Sequence, residues 1–266
     1  MICRFVLFIS LSFSLSICYS QTASNKKTTK KRGELAWDLR NYTVFTCIKS
    51  QRLEDLVQRV WDDLKKKDSS RYRFFFVEDI RLSDSDFHSL SPAEKFIFAH
   101  QYPESYLQTC GLYDMASDIS MIHANIPYMF DGERMSERQI KSLLDNRDST
   151  LGYLSDCIDF RSHIPLGYKK TIIEINAWEF IPSILSLEEK MNKGDTTTVE
   201  DPYIYSVLLE LMKNNEFADF KKTAMYNKLY GPDAGYREKI AYTAAIRNKI
   251  RELSQKLYMQ KAAETK

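Results

Sequence analysis

The strongest constraint on the fold is a short segment, residues 175–182, which has the sequence INAWEFIP and lies between two apolar stretches. The apolar side chains on its two sides are Ile172, Ile173, Ile175, Ile184, Leu185 and Leu187. Their spacing predicts two helices, each with a face that must be buried. Because so short a connection makes the helices antiparallel neighbours, we expect residues 175–182, called the elbow below, to join an α-hairpin.

The elbow allows two local geometries. In the first, Asn176 caps the second helix and Glu179 completes a capping box, which leaves Pro182 inside the helix and bends it. In the second, the helix begins at Pro182, a residue suited to the first helical turn. The internal repeat described below favours the first geometry. In both, we expect Trp178 and Phe180 to anchor the core between successive hairpins.

Helical periodicity recurs along most of the chain. Capping boxes predict helix starts at Ser91 and Ser136, and residues 236–261 are predicted to form one long closing helix. A helix over residues 104–113 and then an irregular connection over 114–131 are expected between them. Almost no stretch alternates with a period of two, the pattern of a strand. The sequence therefore predicts an all-α fold of α-helical hairpins, stacked as a short solenoid or an irregular bundle.

The segment 165–180 partly repeats when it is shifted forward by 37 residues, with four of sixteen aligned positions identical. The identical pairs are Pro165 and Pro202, Tyr168 and Tyr205, Glu179 and Glu216, and Phe180 and Phe217. Over residues 136–230 this period resembles that of HEAT and armadillo helical-hairpin repeats. The resemblance implies helix pairs that stack and present an extended surface. The whole chain also resembles secreted all-helical bacterial proteins of unassigned function.

Residues 1–20 have the pattern of a signal peptide, with a short basic start and an apolar run too short to span a bilayer. Small side chains then favour cleavage between Ser20 and Gln21. The alternative is a lipoprotein signal with Cys18 as the acylated residue, which Ile17 disfavours because a lipobox needs a small residue there. We therefore expect export to the periplasm or the extracellular space. No later stretch is apolar enough for a transmembrane helix.

The expected organisation after the signal peptide has three parts: a disordered basic leader (21–33), an N-terminal helical part (34–132) and a C-terminal helical-hairpin part (133–266). The alternative is that the two helical parts form one continuous domain. Residues 22–32 carry five basic side chains and no acidic one, whereas the whole chain has a formal net charge of +2. A nucleic-acid-binding protein would carry its basic residues on the fold itself, so no nucleic-acid partner is expected.

Three cysteines follow residue 20, namely Cys47, Cys110 and Cys157. Each lies in an apolar helical context, which favours a role as a small buried side chain. An exported protein meets an oxidising environment, so a single disulfide is the alternative. Three cysteines cannot all pair, and the chain has no CxxC motif. The sequence therefore leaves the pairing open.

His100 and Glu104 are four residues apart and could share one helix face, which would suit metal binding or acid–base chemistry. A zinc protease needs His-Glu-x-x-His, whereas Pro103 interrupts this stretch and no second histidine follows, so a capped kink is favoured. His123 and His163 are isolated, and we expect them to be exposed or to cap helix ends. The chain contains no GxSxG, Walker A or GxGxxG motif. We assign no catalytic, cofactor-binding or metal-binding residue.

Two functions follow from these observations. The favoured hypothesis is an exported helical accessory protein that binds another protein in the envelope or outside the cell, since catalytic motifs are missing and stacked hairpins offer extended surfaces. The alternative is a hydrolase-like enzyme with an unrecognised site that uses His100 and Glu104. This alternative requires a cleft that contains both side chains with shifted ionisation. Neither hypothesis calls for a cofactor.

Overall fold

The chain is described in a computed structural model over residues 47–67, 80–106, 121–126, 133–159, 164–192, 201, 203–235 and 238–265. All of these residues belong to one unit, Arg40–Lys266. The predicted signal segment with its cleavage site between Ser20 and Gln21, the basic leader, Cys18, Cys110 and His163 lie outside the described residues.

Packed helices make up most of the structure, as the sequence predicted. The helices are α1 (Gln51–Lys67), α2 (Asp84–Ser89), α3 (Pro92–Gln101), α4 (Glu137–Asp145), α5 (Arg147–Asp159), α6 (Leu166–Glu174), α7 (Ile181–Asn192), α8 (Tyr203–Asn214), α9 (Ala218–Lys221), α10 (Ala224–Tyr230) and α11 (Ala244–Glu264). The strands are β1 (Ser105–Tyr106), β2 (Met121–His123), β3 (Glu133–Arg134) and β4 (Lys239–Ala241). The all-α fold class is therefore confirmed.

Helix α8 lies among the packed helices as their common neighbour. Its sequence, YIYSVLLELMKN, is apolar on nearly every side, and the ten residues from Tyr203 to Met212 are all buried. Helices α6, α7 and α11 pack against it, and so does strand β2. A helix that is hydrophobic all round has to be enclosed by other elements, which explains why so many of them surround α8.

The chain turns tightly between α6 and α7, as predicted, but the close antiparallel packing expected of a hairpin is wrong: α6 packs mainly on α8, and α7 packs mainly on α11. After α6 the chain makes a single 3-10 turn, Trp178–Phe180, and continues directly into α7 at Ile181. Phe180 is buried in the main core, as expected of an anchor. Trp178 packs against the same core while remaining half-buried.

The end of α6 explains how the chain turns at the elbow. Asn176 adopts a left-handed conformation with a φ of 49°. The backbone amide of Ala177 donates to the carbonyl of Ile172 at 2.8 Å, and the amide of Asn176 donates to the carbonyl of Ile173 at 3.1 Å. These two bonds form a Schellman motif, in which an asparagine readily takes the left-handed position.

The structure is nearer to the second of the two predicted elbow geometries, although α7 begins at Ile181, one residue before Pro182. Asn176 ends α6 instead of capping the following helix, so the capping box expected from Asn176 and Glu179 is wrong. Glu179 binds Arg147 through two hydrogen bonds of 2.7 and 2.8 Å. Pro182 occupies the first turn of α7, where a missing backbone N–H removes no helical bond.

Helix α8 ends with the same motif as α6. Glu216 has a φ of 52°, the amide of Phe217 donates to Met212 O at 3.0 Å, and the amide of Glu216 donates to Lys213 O at 2.9 Å. The predicted repeat paired Glu179 with Glu216, but the structure makes Asn176 the counterpart of Glu216. The alignment holds where the two helices start and is wrong where they end, because α6 has 9 residues and α8 has 12.

A reciprocal amide pair joins the two helix ends. Asn176 Nδ2 donates to Asn215 Oδ1 at 3.2 Å, and Asn215 Nδ2 donates to Asn176 Oδ1 at 2.8 Å. Toward the other ends of these helices, Lys169 of α6 pairs with Asp201, which lies two residues before the start of α8. Because the first halves of the two helices are joined by one pair and their C-terminal ends by the other, α6 and α8 run parallel.

Two small antiparallel sheets depart from the helical prediction in detail. Strand β1 pairs with β3, and β2 pairs with β4. The expected helix over 104–113 is therefore wrong at Ser105 and Tyr106, which form β1. The closing helix is also shorter than the predicted 236–261 at its start, because Lys239–Ala241 pairs with β2 and α11 begins after the N-cap Thr243.

The buried apolar side chains form two clusters. The larger one contains the apolar faces of α5, α6, α7, α8 and α11. The smaller one is formed by Leu53, Leu56, Val57, Ile80, Leu82, Phe87, Leu90, Ile97 and Phe98. Helix α3 takes part in both, since Phe96 lies in the larger cluster and its neighbours Ile97 and Phe98 lie in the smaller one.

Candidate functional site

His100, the histidine singled out by the sequence, lies in the last turn of α3 and is buried. Its ring packs between Phe96, with centroids 4.4 Å apart, and Tyr168, at 4.9 Å. Nδ1 lies 2.7 Å from the carbonyl oxygen of Phe96, and Nε2 lies 2.7 Å from Thr171 Oγ1. A carbonyl can only accept, so Nδ1 carries the proton and, in the neutral ring, Nε2 accepts from Thr171.

Burial lowers the pKa of His100 to about 4, because the charged imidazolium is poorly solvated between the aromatic rings; the bond to Phe96 opposes this shift. The ring is therefore neutral near neutral pH. Both nitrogens have partners within the fold, and the ring faces are covered. In this arrangement the imidazole joins α3 to α6.

Glu104 has a different set of partners, and its side chain is fully buried. Arg138 donates from Nε to Glu104 Oε2 at 2.7 Å, and a second donor, Nη2, bonds Oε1. Ser136 Oγ donates to the same carboxylate at 2.9 Å. The Glu104 carboxylate raises the pKa of Arg138, mainly through these hydrogen bonds. Glu104 is thus the counter-ion of a fixed arginine.

Arg138 also bonds the Leu82 carbonyl at 2.7 Å and Asp84 at 2.6 Å, and its guanidinium lies 4.6 Å from the ring centroid of Phe87. This one side chain therefore links the start of α4 to α2 and to the segment after α3. The two residues proposed from the sequence as one pair therefore have different partners. His100 contacts Thr171 of α6, whereas Glu104 binds Arg138 near the start of α4. Neither side chain lines the cavity described below.

A buried ion pair that sequence inspection missed lies where α8 begins. Lys169 Nζ bonds Asp201 Oδ2, and the two side chains are 0% and 2% exposed. Asp201 Oδ1 also accepts the backbone amide of Tyr203 at 3.1 Å, which caps α8. Burial lowers the pKa of Lys169, and the carboxylate of Asp201 opposes that shift. A buried lysine can act as a nucleophile, but here its ammonium is enclosed and bound to an acid.

A second buried polar group lies on another side of α8. Tyr205 Oη donates to Glu188 Oε1 at 2.7 Å, and Arg251 Nη1 lies 3.2 Å from Glu188 Oε2. Burial, followed by the bond to Glu188, raises the pKa of Tyr205. The hydroxyl is therefore protonated at all ordinary pH values and serves as a donor. These contacts join α7, α8 and α11 where their apolar faces meet.

Neither buried group has a local signature in the sequence. Lys169 and Asp201 are 32 residues apart, and Tyr205 and Glu188 are 17 apart. The available signal was weak: Lys169 follows Leu166 and Tyr168 in a predicted helix, but Lys170 is next to it. A lysine there requires a nearby acid once the helix is buried, although the sequence does not say which acid.

His123 is buried in β2, 3% exposed, so the expectation that it would be exposed or cap a helix is wrong. Its ring lies 6.1 Å from that of Tyr203. Within the described ranges, no group of three or more His, Cys, Asp or Glu side chains is arranged to hold a metal ion.

Cys47 and Cys157 form a disulfide, with their Cα atoms 5.3 Å apart and a sequence separation of 110. Cys157 lies in α5 and is fully buried, whereas Cys47 is exposed directly before α1. The favoured expectation of unpaired buried cysteines is therefore wrong for this pair. The helical context expected for Cys47 is also wrong, since residues 47–50 precede α1.

A small cavity of about 110 Å³ lies beside the disulfide, between the start of α1 and the end of α3. Its lining residues are Ile48, Lys49, Ser50, Leu53, Glu54, Ile97, Gln101 and Tyr102. Sites for organic ligands usually measure roughly 300 Å³ or more, so this cavity is better suited to solvent than to a substrate.

Among the helices of the described residues, none has an apolar run long enough to cross a bilayer. Comparisons with known proteins found no matching family model, no similar curated protein and no similar solved structure.

Proposed function

We propose that the chain is an exported helical accessory protein that binds another protein and performs no catalysis of its own. The observation that carries the proposal is the Cys47–Cys157 disulfide. Stable disulfides form in oxidising compartments such as the periplasm, the extracellular space or the secretory pathway. The bond thus supports export, which the signal-like segment at residues 1–20 predicts independently.

The roles of the ionisable side chains support the non-catalytic part of the proposal. His100, Glu104, Lys169 and Glu188 are each bound to a partner on another element of the fold. Their interactions hold helices together. The competing hydrolase hypothesis needs His100 and Glu104 in one accessible cleft, and the partners of both side chains favour the accessory role.

The arrangement of α6, α7 and α8 supports a related proposal about architecture. Parallel α6 and α8, which pack against each other and are connected in sequence by α7, resemble successive helices of HEAT and armadillo stacks. The shared Schellman endings at Asn176 and Glu216 fit two copies of one unit. We propose that this stack provides the binding surface, and that the partner is a protein of the envelope or the extracellular space.

Site-specific photo-crosslinking in the native envelope tests the proposal. A crosslinking residue at Ser186, which is exposed on α7 within the proposed stack, should capture one defined protein. The matched control is Lys66 on α1, whose side chain is 76% exposed and lies on another part of the molecule; it should not capture the same protein. Equal capture of many proteins at both positions would contradict a specific partner.

Two further measurements test the other parts of the proposal: one tests export, and the other tests the absence of catalysis. Fractionation with N-terminal sequencing should recover a protein that begins at Gln21 outside the cytoplasm. Recovery in the cytoplasm with an intact N-terminus would contradict export. Hydrolysis of chromogenic ester, peptide or glycoside substrates that disappears in His100→Gln, while the variant keeps its helical content, would favour the hydrolase alternative.

A further inference from the structure

Helix α1 is attached to the rest of the molecule in an unusual way. Its buried apolar side chains are Leu53, Leu56 and Val57, all in the smaller cluster. Further along the helix, Val60, Trp61 and Leu64 pack against the same cluster but are only half-buried. The first two turns therefore hold the buried anchors, and the later turns add contacts that are partly open to solvent.

Polar tethers reinforce the first turn of α1. Ser50 Oγ donates to Glu94 Oε1 at 2.9 Å, and Arg52 Nη1 donates to Glu94 Oε2 at 2.8 Å. Arg52 also bonds the carbonyl of Ser89 at 3.0 Å. The partners are Glu94 in the first turn of α3 and Ser89 at the end of α2. These bonds are partly open to solvent, since the Arg52 side chain is 53% exposed.

The disulfide is the covalent link between this end of α1 and the larger cluster. Cys47 stands four residues before Gln51, the first residue of α1, and Cys157 is buried in α5 within the larger cluster. Ile48, next to Cys47, packs against both clusters. A bond at this position holds α1 close to α3 and α5 while its few apolar contacts form.

We propose that the Cys47–Cys157 disulfide is a redox-controlled latch for α1. In the oxidised protein, α1 is docked on α3. In the reduced protein, α1 leaves the surface and uncovers the apolar side chains beneath it, in particular Ile97 and Phe98, while the helices around α8 stay folded. The latch is independent of the partner proposed above, because it concerns docking of α1 alone.

The exchange reaction begins at Cys47, the exposed residue of the pair. A dithiol reductant, as its thiolate, attacks Cys47 Sγ; the Sγ–Sγ bond breaks, and Cys157 leaves as a thiolate that takes up a proton. The second thiol of the reductant then attacks the reductant's own sulfur in the mixed disulfide and releases Cys47 as a thiol. The protein disulfide gains two electrons and the dithiol becomes a cyclic disulfide. Burial of Cys157 directs the first attack to Cys47.

Hydrogen–deuterium exchange of the purified full chain, with and without dithiothreitol, tests the latch. Amides within residues 53–64 should exchange about tenfold faster or more after reduction, because the docked state of α1 is then only marginally stable. Amides of Tyr203–Met212 should keep their rates within about twofold. Reduction of the wild-type chain needs no substitution, so a misfolded variant cannot confuse the result.

Two variants sharpen the measurement. Cys47→Ser should reproduce the effect of dithiothreitol without reductant, since Cys157 remains as a thiol in its own place. Cys110→Ser, which leaves the bridge intact, should behave like the oxidised wild type. An equal loss of protection from hydrogen exchange in α1 and α8 would overturn the proposal. It would show that the disulfide stabilises the whole fold. Unchanged protection in α1 would also overturn the proposal, as would a Cys110→Ser variant that resembles Cys47→Ser.

Discussion

Helices α1 and α8 are both long, yet they are held in place by different means. Helix α8 buries ten of its 12 residues, whereas α1 buries three apolar side chains among 17 residues. α8 stays in position because the hydrophobic effect acts on every side of it. α1 relies on one narrow apolar face, a few hydrogen bonds and a disulfide. Helix length alone therefore says little about how much an element contributes to the core.

The charged side chains of the two helices differ in the same way, being exposed on α1 and buried at α8. On α1 they form exposed pairs within the helix, such as Lys66 with Asp63 at 3.3 Å, and pairs of this kind contribute only a few tenths of a kcal/mol. At α8 the charges of Lys169 and Asp201 are fully enclosed. An enclosed pair must stay intact, since an unpaired buried charge costs several kcal/mol. Substitutions in the two regions should therefore differ strongly in effect.

The largest effect is expected at the buried pair beside α8. Lys169→Met should lower the free energy of unfolding by about 3 to 5 kcal/mol, because it leaves the Asp201 carboxylate buried without its cation. Denaturant unfolding followed by circular dichroism measures the change. Lys169→Met combined with Asp201→Asn should recover most of the loss, since asparagine keeps an acceptor for the Tyr203 amide. A loss below about 1 kcal/mol in the single variant would show that water solvates the site.

A matched pair of core truncations compares the helices directly. Leu208→Ala in α8, at a side chain that is 0% exposed, should cost about 2 to 5 kcal/mol and lower the stability of the whole unit. Leu56→Ala in α1, at 6% exposure, should cost less and mainly raise the exchange of α1 amides. Unfolding curves and hydrogen exchange on both variants provide the comparison. Equal, global losses would mean that α1 is as integral to the core as α8.

Acid should destabilise the protein through His100, which lies between the two regions. Its pKa falls from 6.5 to about 4 on folding, so below pH 6.5 the unfolded chain binds a proton that the folded chain rejects. Stability is unaffected by this group above pH 6.5 and falls as the pH drops toward 4, by about 3 kcal/mol in total.

His100→Gln should remove this component, so the difference in unfolding free energy between wild type and variant should change over that pH range. His88→Gln is the control, since His88 is exposed on α2. A constant difference between wild type and His100→Gln from pH 7 to pH 4 would contradict the buried neutral imidazole.

The smallest effect is expected at the surface tether of α1. Arg52→Ala removes the bonds to Glu94 and Ser89, and it should cost about 1 kcal/mol or less because the arginine is half-exposed. Exchange of the first amides of α1 should rise several-fold, with Tyr203–Met212 unaffected. A global loss of several kcal/mol would identify Arg52 as part of the main core.

Local signals in the sequence were sufficient for much of the fold. The capping boxes at Ser91 with Glu94 and at Ser136 with Gln139 are both present, because a cap depends on residues within one turn. The tight turn after α6 was predicted for the same reason, whereas the antiparallel packing of α6 and α7 was wrong because each helix packs on a different, more distant element. The geometry of Asn176 was wrong because asparagine suits an N-cap and a left-handed helix end about equally. Only the packing of α6 on its neighbours chose between them.

Features that depend on distant residues were not predictable. Strand β2 pairs with β4 across more than a hundred residues, and each has only three residues, too few for a visible alternation. The partners of Lys169, Glu104 and Cys47 are likewise distant in the chain. The roles of the candidate site residues followed from these partners, so the sequence could nominate His100 and Glu104 but not describe what they bind.

The amide pair between Asn176 and Asn215 also determines which insertions and deletions this part of the chain accepts. One residue added within α6 or α8 would rotate the terminal asparagine by about 100° and move it by about 1.5 Å, so both hydrogen bonds would be lost. The connections outside the two helices are free of this requirement. We expect single-residue changes in length to be rejected inside α6 and α8, so that the two helices keep their 9 and 12 residues.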